Sequence, residues 1–133
     1  MEGVERVYQF LNEVGTYYLA TVDGDQPRVR AFGTVLLCHG RIYIQTGKVK
    51  AVSRQIAANP KVELCAFKGG EWLRLSGRLV NDDNREVKVA MLEKMPSLKG
   101  MYSADDDNMQ MLYFTDAEAT FSSFTSEPET VRF

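Results

Sequence analysis

Glycine-bearing turn signals separate short runs of β-branched and aromatic residues, and this alternation limits what the chain can fold into. Asp23-Gly24-Asp25-Gln26 divides 16–22 from 27–38, and His39-Gly40 divides 27–38 from 41–46. Lys68-Gly69-Gly70 divides 61–67 from 71–80. Two- and three-residue turns join antiparallel neighbours, whereas a parallel pair needs a crossover of a dozen or more residues. The spacing predicts a three-stranded antiparallel meander over 16–46, a hairpin over 61–80, and closing strands at 109–115, 118–125 and 130–133. A purely parallel α/β sheet is excluded. Seven or eight short antiparallel strands with two or three short helices make a mainly β (α+β) chain, a barrel or a sandwich.

The helices are read from spacing and stop signals. Val4, Val7, Tyr8, Leu11 and Val14 recur at helical intervals over 2–14, and Gly15 ends the run. Gly47-Lys48 opens a second helix over 49–58, with Val52 and Ile56 inward and Asn59-Pro60 as its stop. Asp82 or Asp83 caps a third helix that reaches Met95, Asp83 with Glu86 forming a capping box, and Pro96 ends it. The 133 residues contain no repeat or linker and suit one domain, 1–133. No apolar run is long enough to cross a bilayer, and the first six residues lack the pattern of a secretion signal. The expectation is a soluble, cytoplasmic protein.

Net charge is −2, but its distribution is uneven. Residues 26–80 carry ten basic side chains against Glu63 and Glu71, a local +8, while the remainder carries −10. A basic centre in a chain of pI near 5.4 suggests one anion site; acidic flanks argue against a nucleic-acid-binding barrel. Cys38 and Cys65 lie in apolar runs and read as buried thiols. With one histidine, His39, and no Cys-x-x-Cys pair, a zinc site is not expected. Asp105-Asp106-Asp107-Asn108 does not make a calcium loop, because position 110 is Gln110 where a glycine is needed. His39, in a turn without a surrounding motif, gives no nucleophilic triad.

The densest candidate site is Tyr43-Ile44-Gln45-Thr46-Gly47-Lys48-Val49-Lys50. A strand ends, a glycine follows and a helix starts, and helix starts offer unpaired N–H groups to a phosphate. Thr46 adds a hydroxyl, Lys48 and Lys50 add charge, and Arg28 and Arg30 share one face of a nearby strand. An ordinary surface helix with solvated lysines accounts for the same residues. The segment is not a Walker loop, which would need glycine at Ile42 and a hydroxyl residue at Val49. A second candidate, Trp72-Leu73-Arg74-Leu75-Ser76, puts Trp72 and Arg74 on one polar face, where the indole could stack on a flat ring or simply cover the barrel end.

In order, Tyr18-Leu19-Ala20-Thr21, Pro27-Arg28-Val29-Arg30, Ile42-Tyr43-Ile44-Gln45-Thr46, Lys50, Gln55, Asn59-Pro60-Lys61-Val62-Glu63-Leu64 and Trp72-Leu73-Arg74-Leu75-Ser76-Gly77 resemble the pyridoxamine 5'-phosphate oxidase-like FMN-binding split-barrel proteins. The short, nitroimidazole-resistance-type branch is the most similar, over nearly the whole chain. The resemblance implies a split barrel and an FMN at a homodimer interface. Arg30, Thr46 and Lys50 would hold the phosphate with Gln55 nearby, and the backbone of Tyr43, Ile44 and Gln45 would line the flavin ring. Trp72 and Arg74 would reach it from the partner subunit; Arg28 and Lys48 are positions where the family varies. The oxidase's C-terminal Arg-x-His element is not found, so pyridoxamine phosphate oxidation is not expected. What is implied is a flavin-dependent oxidoreductase of undefined substrate and electron donor, the alternative being a flavin- or haem-binding module without turnover.

Overall fold

A computed structural model describes residues 3–133; Glu2, included in the first predicted helix, lies outside them. The elements are α1 (Gly3–Val14), β1 (Tyr17–Asp23), β2 (Gln26–Phe32), β3 (Leu36–Cys38), β4 (Arg41–Gly47), α2 (Ala51–Ala58), β5 (Lys61–Lys68), β6 (Glu71–Asn81), α3 (Arg85–Lys94), a 3₁₀ turn (Pro96–Gly100), β7 (Met109–Ser123) and β8 (Glu129–Arg132). The strands form one antiparallel sheet in the order β2-β1-β5-β6-β7-β4-β3, with β8 beside β7. The sheet curls without closing, and this is a split barrel.

The predicted meander is not what forms. Residues 27–38 are not one strand: β2 pairs only with β1, β3 pairs only with β4, and these two pairs end at opposite edges of the sheet. The break is at Gly33-Thr34-Val35. Thr34 turns inward there, its carbonyl accepting the Tyr17 hydroxyl at 2.7 Å and its own hydroxyl bonding the Gln45 backbone. Residues 31–38 are a run of strand-forming side chains interrupted only by Gly33, the one local mark of the break. The two closing strands at 109–125 are instead one long strand, β7. It bends where Asp116 takes φ 50° and the β6 register shifts between Ser76 and Arg78. β7 pairs β4 through its first half and β8 through its second.

Register fixes two faces. Tyr17, Leu19, Leu64, Leu73, Leu75, Ile42, Ile44 and Ala119 point inward and build the main core, which α1 covers with Val7 and Leu11 and α2 with Val52 and Ile56. The opposite face near β3, β4 and β7 is covered by α3 and the 3₁₀ turn, where Tyr43, Met109 and Met111 pack on Val87, Met91, Leu98 and Tyr102. Over β2, β1, β5 and β6 that outer face is bare: Tyr18, Val29 and Phe67 are more than half exposed. Cys65 lies there too and is exposed, and Cys38 is half-buried, so the expectation of two buried thiols fails.

Two predicted helix starts move. The α3 cap is Asn84, not Asp82 or Asp83; its side-chain oxygen accepts from the Glu86 and Val87 amides at 3.0 and 3.4 Å. Helix α2 starts at Ala51 rather than Val49, because Lys50 is extended (φ −81°, ψ 151°) and residues 48–50 are held as a turn by contacts described below.

Candidate anion site

The hairpin register sets the first part of the site. The two-residue turn places Asp23 opposite Gln26, Thr21 opposite Arg28 and Leu19 opposite Arg30. Leu19 and Thr21 are buried inward residues, so Arg28 and Arg30 point to the inner side of the sheet, at its open edge beside α2. Arg30 Nη1 donates to the Leu19 carbonyl at 3.1 Å and to Thr21 Oγ1 at 2.8 Å, and Nη2 donates to Gln55 Oε1 at 2.7 Å. The Thr21 hydroxyl in turn donates to Gln55 Oε1 at 2.6 Å. All of these acceptors are neutral. Burial, and secondarily the neighbouring Arg28, hold the Arg30 guanidinium below its usual range. Among the described residues no carboxylate offsets that cost. Arg28, by contrast, pairs with Asp23 at 3.1 Å on the surface.

Thr46 shares the inward face of β4 with Ile42 and Ile44 and is 3% exposed. A cleft of about 500 Å³ opens between the β1–β2 turn and α2, lined by Asp23, Gly24, Ala51, Arg54, Gln55 and Asn59 among others. Gln55 joins this cleft to Arg30. Lys50 is exposed, immediately precedes Ala51, and forms no ion pair among the described residues.

The turn itself is less available than an open helix start would be. The Lys48 amide donates to the Asn108 carbonyl at 2.7 Å, the Val49 amide to Asn108 Oδ1 at 3.2 Å, and the Lys50 amide to the Gly47 carbonyl at 3.0 Å. Lys48 Nζ pairs with Asp107 at 3.2 Å. Among the described residues the Ala51 and Val52 amides remain without an acceptor. The acidic loop Asp105-Asp106-Asp107-Asn108 is therefore the strap that shapes this turn. Asp106 ties the strap down by accepting from the Met109, Ser103 and Asn108 amides, bonds that hold its carboxyl below the usual range.

The other predicted residues lie elsewhere in the chain. Tyr43 is fully buried on the outward side of β4, and its hydroxyl donates to Asp82 Oδ2 at 2.7 Å. Burial and then the Asp82 contact push that phenol up to about 12. Ile44 is core, and Gln45, also buried, donates from Nε2 to the Thr46 carbonyl while both of its backbone groups bond the Thr34 hydroxyl. Trp72 and Arg74 stand on the bare outer face of β6: Trp72 packs on Phe124 with ring centres 5.1 Å apart, and Arg74 grips Glu63 at 2.7 and 2.9 Å. One chain brings Gln55 and the start of α2 to one cleft, with Arg30 bonded to Gln55 behind it, and turns Trp72 and Arg74 to the opposite side of the sheet. Sequence reasoning missed Thr21, Arg54, Asp107 and Asn108. Thr21 was readable from the hairpin register; the strap was not, since its contacts cross about sixty residues.

An unclosed antiparallel barrel with a cleft at one edge defines a split-barrel protein. The family model described as pyridoxamine 5'-phosphate oxidase matches residues 4–121, and the chain belongs to that family. A NimC/NimA family protein from Clostridium acetobutylicum is 48% identical in its crystal structure, with a TM-score of 0.95 over 98% of this chain and 92% of that one. The fold recurs at lower identity. A pyridoxamine 5'-phosphate oxidase-related, FMN-binding protein from Nostoc punctiforme has 14% identity, TM-score 0.71, and coverage of 98% and 94%. A heme-binding protein from Mycobacterium smegmatis has 12% identity, TM-score 0.76, and coverage of 99% and 58%. No curated protein matches the sequence.

Proposed function

We propose that this protein binds FMN as a homodimer and acts as a flavin-dependent oxidoreductase on a small molecule. The observation that carries the reading is Arg30: a partly buried guanidinium held by three neutral acceptors, lacking a counter-ion, at the edge of a cleft. A fixed, uncompensated cation at a cleft fits a dianionic phosphate. The Thr46 hydroxyl, Lys50, which forms no ion pair among the described residues, and the Ala51 and Val52 amides supply further donors for it. Lys48 is committed to Asp107 and contributes less.

When bound, the flavin supplies hydride or single-electron transfer. The chain's own residues bind and orient it: Arg30, Thr46 and Lys50 hold the phosphate, and Gln55 fixes Arg30. Arg74 and Trp72 reach the ring from the partner. The bare outer face, with Tyr18, Val29 and Phe67 exposed, is where the second copy docks. A haem reading finds less support. His39 sits in the β3–β4 turn, at the far end of β4 from Thr46, about 20 Å along the strand, with Glu86 at 3.5 Å.

Freshly purified protein tests the proposal. It should show flavin absorption near one FMN per protomer, or take FMN up to that ratio, and sediment as a dimer. A colourless protein that ignores added FMN refutes it. Anaerobic reduction by a nicotinamide cofactor, followed by reoxidation with candidate acceptors, separates an oxidoreductase from a flavin carrier.

A further inference from the structure

Arg30 is an exposed-edge arginine that does not behave like one. Long cationic side chains on sheet edges ordinarily wander, and ordering one costs rotamer entropy. Here the side chain is anchored at both terminal nitrogens. A guanidinium has five N–H donors. The Leu19 carbonyl and the Thr21 hydroxyl use both hydrogens of Nη1, and Gln55 Oε1 uses one of Nη2. The Nε–H and the remaining Nη2–H are left over, and these adjacent donors form a fork that can donate to two oxygens of one phosphate.

The link that closes this arrangement is Thr21. It is 3% exposed, and its hydroxyl accepts from Arg30 while donating to Gln55 Oε1. Arg30 Nη2 can only donate, so the Gln55 oxygen, rather than the nitrogen, faces inward, and the Thr21 hydroxyl donates to that same oxygen. One hydroxyl thus bridges the guanidinium and the amide on the residue that lines the cleft.

We propose that Thr21 is a positioning residue for the anion site: it acts through Arg30 and Gln55, touches no ligand itself, and selects for the phosphate of a phosphorylated ligand over the same ligand without one. The inference rests on the cofactor reading above and deepens it.

The test uses the full chain and two probes that differ only in the phosphate, FMN and riboflavin, titrated by flavin fluorescence. Wild type is expected to bind FMN far more tightly than riboflavin. Thr21→Val keeps the shape and removes the hydroxyl. It should weaken FMN by roughly tenfold while riboflavin changes less than about twofold, and Thr21→Ser should restore FMN binding. Damage to the fold alone would lower both ligands together and would not be rescued. In an Arg30→Ala background, Thr21→Val should cost FMN almost nothing further, because its route to the ligand is gone. Should Thr21→Val fail to fold, Thr21→Ala read against Thr21→Ser gives the same comparison. Equal loss for both ligands, unchanged FMN affinity in the valine and alanine variants, or an undiminished cost in the Arg30→Ala background overturns the role of Thr21 while leaving the cofactor reading intact. A wild type that binds FMN no better than riboflavin overturns both.

Discussion

Lys48 and Lys50 lie two residues apart beside the same turn, and sequence offers no means of ranking them. The structure separates them. Lys48 Nζ is 3.2 Å from Asp107, a carboxylate on the strap whose side chain is 94% exposed, while Lys50 has no carboxylate partner among the described residues. An exposed pair of this kind contributes little to stability, but it cancels most of the lysine's field at short range. Lys48→Ala removes a cation and leaves Asp107 behind, so FMN affinity should fall by no more than about threefold. Lys50 brings an unspent charge to a dianion, and a hydrogen bond to a charged group contributes about 1.5–3 kcal/mol. Lys50→Ala should therefore weaken FMN by about 10- to 150-fold. Asp107→Asn supplies the opposite sign: it frees Lys48 and should tighten FMN slightly. Fluorescence titration at low and high salt measures all three, and the Lys50 effect should shrink as salt rises. A larger loss from Lys48→Ala than from Lys50→Ala refutes the assignment of charge to the two lysines.

Other tests address the frame. Asn84→Ala removes the α3 cap and should cost about 1 kcal/mol, lowering the thermal midpoint by roughly 3–5 °C, while Asp83→Asn should leave the cap intact. Asp106 has its folded pKa depressed, so its stabilisation is present above its ordinary value near 4 and is lost as pH falls through the lower folded value. Melting curves from pH 5 down to 2 should show that loss in wild type and much less of it in Asp106→Asn. Analytical ultracentrifugation should show dimers for wild type and monomers for Phe67→Lys on the bare outer face.

What the sequence could reveal follows the range of the interactions involved. The β1–β2 hairpin was legible because a two-residue turn fixes register, and with it the shared face of Arg28 and Arg30. The β5–β6 hairpin was legible for the same reason. The meander failed because the one local mark of the break, Gly33, does not say that the chain then crosses to the other edge of the sheet. The α2 start failed because Asn108, far along the chain, takes the amides that would have started the helix two residues sooner. At the α3 cap three consecutive residues, Asp82, Asp83 and Asn84, all suit the position, and Asp82 is instead committed to the buried Tyr43 hydroxyl.

The arrangement of faces carries one more consequence. Arg30 points inward from β2, whereas Arg74 points outward from β6, so the thickness of the sheet lies between their side chains. Within one protomer the two cannot grip the same flavin. Glu63 already occupies Arg74 with two hydrogen bonds, which favour the charged guanidinium and fix its direction outward, on the bare face. If both arginines serve the cofactor, each site takes Arg30 from one subunit and Arg74 from the other. Arg30→Ala and Arg74→Ala homodimers would then each lack one contact at both sites. A heterodimer of one with the other would concentrate both defects at one site and leave the second site wild type. Co-expressed with two different tags and purified through both, that heterodimer should bind half an equivalent of FMN per protomer at wild-type affinity. Two sites each weakened by one defect would instead place both arginines at the same subunit's cofactor and refute the cross-subunit site, and an Arg74→Ala homodimer of wild-type affinity would place Arg74 at no site.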